Sequence, residues 1–182
     1  MGEDEARKLA QHHLAVTLPQ RWLHVQAVAA EATRLCDAIG IDTSLTVSAV
    51  WLHDLGYAPA VRDTGFHPLD GARYLRDHGW DVQVCALVAR HTYAALQAEM
   101  LGLVEQLNAE FADNDGIEQD VLWTADATAG PNGERLTLQE RIAEITNRYD
   151  ADSVVTRSMI ASEPALAAAI ARTQARLAER TH

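Results

Sequence analysis

Apolar residues recur at three- and four-residue steps along almost the whole chain, and no stretch alternates apolar and polar residues long enough to make a strand. Within residues 19–40, Trp22, Val25, Val28, Ala29, Ala32, Leu35 and Cys36 line up as one apolar stripe. That period admits helices and excludes a sheet core. The expected fold class is therefore all-α, a single domain over 1–182 of about eight to ten helices.

Punctuation along the chain divides the pattern. A first helix is expected over 3–17. The second opens with Pro19 in its first turn and stops at Gly40. A third begins at the Asp/Thr/Ser group 42–44 and ends at Gly56, and a loop containing Pro59 and Gly65 follows. Further helices are expected from Pro68 to Gly79, from Asp81 to Thr92, as one long element over about 93–112, and over 117–130 and 137–149. A last helix is expected to begin at Ser162, with Glu163 and Pro164 just inside it.

Composition narrows the partners. With a net charge of −11 and a pI near 5.0, the average surface repels nucleic acid polymers and anionic membranes. Lys8 is the single lysine among 15 basic residues, the rest being arginines. Arginine suits bidentate phosphate binding, and a GC-rich genome produces the same bias. Cys36 and Cys85 sit in apolar helical stretches and read as small buried hydrophobes of a reducing compartment, with a disulfide as the alternative. The charged start reads as no signal peptide, and no apolar run reads as long enough to span a bilayer. The expected location is cytoplasmic.

Against this background stands "WLHDLGYAPAVRDTGFHPLDGARYL", residues 51–75. It sets His53, Asp54 and His67 in an apolar setting. His24, His91 and Asp126 occupy similar positions, each on the apolar side of a helix. One such residue alone is ordinarily a satisfied core group or a helix cap. Six buried separately would each need a partner, whereas a divalent cation satisfies several at once. Imidazole and carboxylate suit Fe, Mn, Co, Ni or Zn alike. His53, Asp54 and His91 also fall at helix C-termini, where the dipole favours a cation.

The segments "RWLHVQAVAAEA", "VWLHDLGY", "FHPLDGARYL", "VARHT" and "VLWTADAT" resemble the ordered signature of the HD-domain superfamily of metal-dependent phosphohydrolases. The order H…HD…H…H…D is similar to its dinuclear branch, and within that branch to bacterial hydrolases that split diadenosine tetraphosphate symmetrically. The resemblance implies an HD-type helical bundle with a metal-site core at about 19–130 and C-terminal helices 137–181 packed on it. It implies His24, His53, Asp54, His67, His91 and Asp126 as metal ligands for two divalent metals per chain. His24, His53 and Asp126 would hold one, His67 and His91 the other, and Asp54 would bridge.

Asp54, His53 and Asp126 are the expected catalytic residues, activating water for attack on phosphorus. Arg21, Arg62 and Arg90 are candidates to hold a small phosphorylated substrate such as a nucleotide. A surface ion pair is the plainer role for each. Asp70 is expected either to orient His67 or to be an ordinary surface acid near a helix start. The segment "ADATAGPNGE" after the last ligand lacks the basic residue expected near it for phosphate. Two other readings share the ligand set: a mixed-valent di-iron oxygenase of the same superfamily, and a binding module without catalysis. His12, His13, His78 and His182 are left outside the site. The C-terminal helix packs on the domain or on a second copy in a homodimer.

Overall fold

The computed structural model describes residues 1–180, so His182 lies outside the described residues. Ten α-helices and two 3-10 turns make up the described chain, and the one β feature among the described residues is an isolated bridge between Ala129 and Arg135. The helices are α1 Glu3–Leu14, α2 Pro19–Ile39, α3 Thr43–Leu52, α4 His67–Asp77 and α5 Val82–Arg90. They continue as α6 Ala94–Leu101, α7 Val104–Glu110, α8 Ile117–Ala127, α9 Leu138–Arg148 and α10 Val154–Arg180. The 3-10 turns are Leu55–Tyr57 and His91–Tyr93. The all-α bundle expected from the periodicity is the observed fold.

Helix α3 decides where the site lies. Its sequence, TSLTVSAVWL, is apolar nearly all round, and such a helix belongs in the interior. Thr46, Val47, Ser48, Ala49, Val50 and Leu52 are all buried, with α1, α2, α5 and α8 packed around them. Asp42 starts it by accepting the Ser44 N–H at 2.8 Å. Its C-terminus therefore delivers His53 and Asp54 to the middle of the bundle, where both are buried.

The 3-10 turn after α3 lies directly on the start of α4. A Cβ at Gly56 would sit 2.0 Å from the His67 carbonyl oxygen, so only glycine permits the approach. Asp70, one turn into α4, ties down the preceding loop. It accepts hydrogen bonds from the N–H groups of Asp63, Thr64 and Gly65 at 2.9–3.0 Å and from the Thr64 hydroxyl at 2.6 Å. Neither role expected for Asp70 holds: it does not orient His67, and it is buried rather than a surface acid.

Two boundaries differ most from the sequence expectation. The long helix over 93–112 is two, because Gly102 adopts a left-handed φ of 71° and ends α6. The last helix starts at Val154, capped by the Ser153 hydroxyl accepting the Thr156 N–H at 3.1 Å. Pro164 then sits inside it; the residue is solvent-exposed, so water can satisfy the carbonyl one turn back. Ser162 donates back to the Ser158 carbonyl at 2.7 Å instead of capping.

Val154–Arg180 is also, among the described residues, a helix long and apolar enough by composition to cross a membrane, contrary to the sequence reading. Its alanines carry that hydropathy. In the fold, Leu166 and Ala169 are fully buried and the helix packs on α8, α6, α9 and α2. Arg172 and Arg176 both bind Asp120 of α8, which is itself buried. Cys36 and Cys85 are free and buried, with thiols pushed up to about 11 by burial.

Candidate metal centre

All six expected ligands meet in the interior. Their donor atoms form two groups, His24–His53–Asp126 and Asp54–His67–His91, and within each group the donors lie within 4.8 Å of one another. Every one of these residues but His67 is buried. His24 comes from α2, His53 and Asp54 from the end of α3, and His67 from the first position of α4. His91 follows α5, and Asp126 comes from the last turn of α8.

Backbone geometry fixes three imidazoles. His53 and His91 each follow a helix end and turn Nδ1 back onto the carbonyl three residues earlier: Val50 at 2.7 Å and Val88 at 2.6 Å. His24 does the same across space, to Gly130 at 3.2 Å. A carbonyl only accepts, so each Nδ1 carries a proton, and Nε2 presents a lone pair in the neutral ring that a cation would bind. This outer hydrogen bond is the arrangement that orients a metal-binding histidine.

The Nε2 atoms converge on the carboxylates. His24 Nε2 is 3.0 Å from Asp126 Oδ1, and His53 Nε2 is 3.9 Å from the same oxygen. Asp54 faces both groups. Its Oδ2 lies 3.4 Å from His53 Nε2 and 3.9 Å from His24 Nε2, while Oδ1 lies 3.5 Å from His67 Nε2. His67 Nε2 in turn lies 3.0 Å from His91 Nε2.

The donor chemistry fits divalent transition metals. His53 Nε2 is buried without a hydrogen-bond partner, a costly arrangement that a cation would relieve. The donors are all imidazole nitrogen and carboxylate oxygen, which Zn, Mn, Fe, Co and Ni accept.

The surroundings set the charges. Burial raises the Asp54 carboxyl, but Arg21 and then His53 outweigh it and hold the group well below the usual carboxylate range. Asp126 is likewise held low against burial, first by the hydrogen bond with His24. Burial pushes the His53 imidazole down, yet Asp54 beside it lifts it to about 9. His67 and His91 are lowered, by burial first and by neighbouring imidazoles next.

Two further residues position this set. Thr92 and Tyr93 both have left-handed backbones, at φ 49° and φ 57°. A β-branched residue there is strained. The strain places the Thr92 hydroxyl where it donates to Asp126 Oδ2. Tyr57 stacks on the His67 ring at 3.9 Å, and the Arg21 guanidinium lies 4.1 Å from the Tyr57 ring centroid.

Of the arginines expected to hold substrate, Arg21 is at the centre. It donates to Asp54 Oδ2 at 2.9 Å and lines the cleft above the six ligands. Arg62 is exposed on the loop before α4 and does not line the cleft. Arg90 turns away: it is buried and donates to the Phe111 carbonyl at 2.6 Å, tying α5 to the end of α7.

The basic residue missing from 127–134 comes from α9 instead. Arg141 is buried and lines the cleft with Ile145, Met159 and Thr92. Its signal is present in the sequence, because Leu138, Arg141 and Ile145 share one buried helical stripe. Thr92 ends the segment "VARHT" that carries the resemblance, but its left-handed backbone and its bond to Asp126 follow from no local pattern.

Comparison with known proteins agrees with this geometry. Neither curated proteins nor solved structures returned a match. The HD domain profile matches residues 21–152, a span that holds all six candidate ligands, Arg21 and Arg141. That match covers more than half of the chain, and the chain belongs to the HD domain family.

Proposed function

We propose that the protein is a phosphohydrolase that uses two divalent metals and a cleft-bound water to cleave a small phosphorylated substrate, a nucleotide being the model class. Members of the HD domain family are mostly metal-dependent hydrolases. The observation that carries the finer reading is the pairing of two ligand triads with a carboxylate, Asp54, that turns one oxygen to each. His24, His53 and Asp126 would hold one metal, His67 and His91 the other, and Asp54 both. Bound divalent metal supplies Lewis acidity, which stabilises charge on a phosphoryl oxygen and acidifies water.

The chain's own groups do the rest. Arg21 and Arg141 offer guanidinium N–H donors to phosphoryl oxygens in the cleft. Ile145, Val155 and Met159 form its apolar wall and limit water. The Nδ1–H bonds of His24, His53 and His91, with the Thr92 bond to Asp126, hold the ligands in place before substrate arrives.

The test is phosphate release from nucleotides and phenyl phosphates by the full-length protein, loaded in turn with Mn, Co, Ni, Zn or Fe(II). Release is expected to require metal, to stop with a chelator, and to vanish in Asp54→Asn with the helical spectrum unchanged. Metal uptake with no phosphate release under any loading overturns the hydrolase. Iron loading with dioxygen consumption would replace it with the oxygenase.

A further inference from the structure

Arg21 and Arg141 form a wall with two sides. One side faces the metal-ligand cleft. The other faces a second groove lined by Leu18, Gln20, His24, Pro131, Arg148 and Tyr149. Three arginines and no carboxylate line this groove. On a chain of net charge −11, such a concave basic surface is the place where an anion is attracted rather than repelled.

The arginines have capacity to spare. Arg141 is 6% exposed, yet its one side-chain hydrogen bond among the described residues is from Nη1 to Glu144 Oε2 at 2.6 Å. A guanidinium carries five N–H donors in a fixed fork, so most of those of Arg141 stand unused beside the two cavities. Arg148 shares the same oxygen, at 3.0 Å from its Nη2, and its guanidinium sits 5.2 Å from the Tyr149 ring. One carboxylate thus serves two cations. The idle N–H groups of Arg141 open onto the two cavities rather than being sealed in the core, so an anion can take them up in place of water.

We infer that Arg21, Arg141 and Arg148 form a second anion site in this groove, on the far side of His24 from the cleft, which takes a tetrahedral dianion such as a phosphate group remote from the bond that is cleaved. Its placement beside the reactive cleft rests on the phosphohydrolase reading for the choice of ligand, but the groove's affinity for an oxyanion does not. A substrate that reaches both sides of the wall carries at least two anionic groups. Glu144 acts as the stand-in anion when the groove is empty.

Sulfate is the probe, because it matches phosphate in shape and charge and binds transition metals weakly. The zinc-loaded full-length protein is titrated with sulfate while the side-chain Nε–H resonances of the arginines are followed by NMR. The Arg141 and Arg148 signals are expected to shift together. Arg148→Ala is expected to weaken sulfate binding about tenfold. Glu144→Gln, which removes the competing carboxylate, is expected to strengthen it severalfold.

Unmoved Arg148 signals, or equal affinities in all three proteins, overturn the site. Strengthening by Glu144→Gln without weakening by Arg148→Ala puts the anion on the metal side of Arg141 and overturns the groove as its seat. Because no turnover is measured, these results are independent of the phosphate-release assay. A protein that binds sulfate in the groove yet hydrolyses nothing would lose the catalytic reading and keep the anion site.

Discussion

His91 Nε2 lies 3.0 Å from His67 Nε2, while His91 Nδ1 is committed to the Val88 carbonyl at 2.6 Å. Burial favours the neutral form of both, as do His91 beside His67 and His53 beside His91, so the pair is poised to accept a cation rather than to hold two protons. The other triad, His24–His53–Asp126, shares no residue with it. His67→Ala and His91→Ala are each expected to lower bound metal from about two equivalents to about one per chain. Elemental analysis after anaerobic purification without a metal-binding tag checks this. Loss of both metals would show that the triads bind as one unit.

Arg21 neutralises Asp54 from 2.9 Å in the interior, where an unpaired carboxylate is costly. Arg21→Gln is expected to destabilise the metal-free protein by about 3 kcal/mol, the low end for breaking a buried pair because the arginine is partly exposed. The metal-loaded protein should lose less, since the cation then balances Asp54. Thermal melts with and without chelator measure the difference. Equal losses in both states would mean that Asp54 does not contact metal.

Thr92 trades backbone comfort for its contact with Asp126. Thr92→Gly removes the left-handed strain but adds unfolded-state entropy, so net stability is expected to stay within about 1 kcal/mol of the parent. Metal affinity should fall, because Asp126 loses the donor that fixes its second oxygen. Competition with a chromogenic chelator reads the affinity, and calorimetry reads the stability. A large destabilisation with metal affinity intact would make Thr92 a structural residue only.

Glu110 joins α7 to α4 through Arg73 and Arg76, and the Arg73 hydrogen bond, with Arg76 assisting, holds its carboxyl down to about 2. A carboxyl lowered on folding adds stability above its ordinary value near 4.5, and that contribution fades as pH falls toward 2. Glu110→Gln is expected to cost about 1 kcal/mol at neutral pH, allowing for solvent screening of a surface network. The gap between variant and parent should close near pH 2. Urea unfolding across pH 2–7 tests it. A gap that stays constant would mean the charge is not what joins the helices.

The helical class and the six histidine and aspartate residues that cluster in the interior were legible in the sequence. They depend on local information: a helical period, and polar groups in apolar places that need a partner. The resemblance to HD proteins likewise rested on short ordered segments, and the family match covers them. Tertiary structure decided the rest, because it depends on which surfaces meet. Arg90 looked available beside His91, but packing turned it to the Phe111 carbonyl. Arg141, 15 residues beyond Asp126 in the chain, was carried into the cleft when α9 packed against α10. Asp70 was spent on its own loop. Pro164 stayed inside a helix because its face meets solvent. A side chain's neighbours in sequence set its backbone; the elements that close over it set its partners, and those partners decide what it can bind.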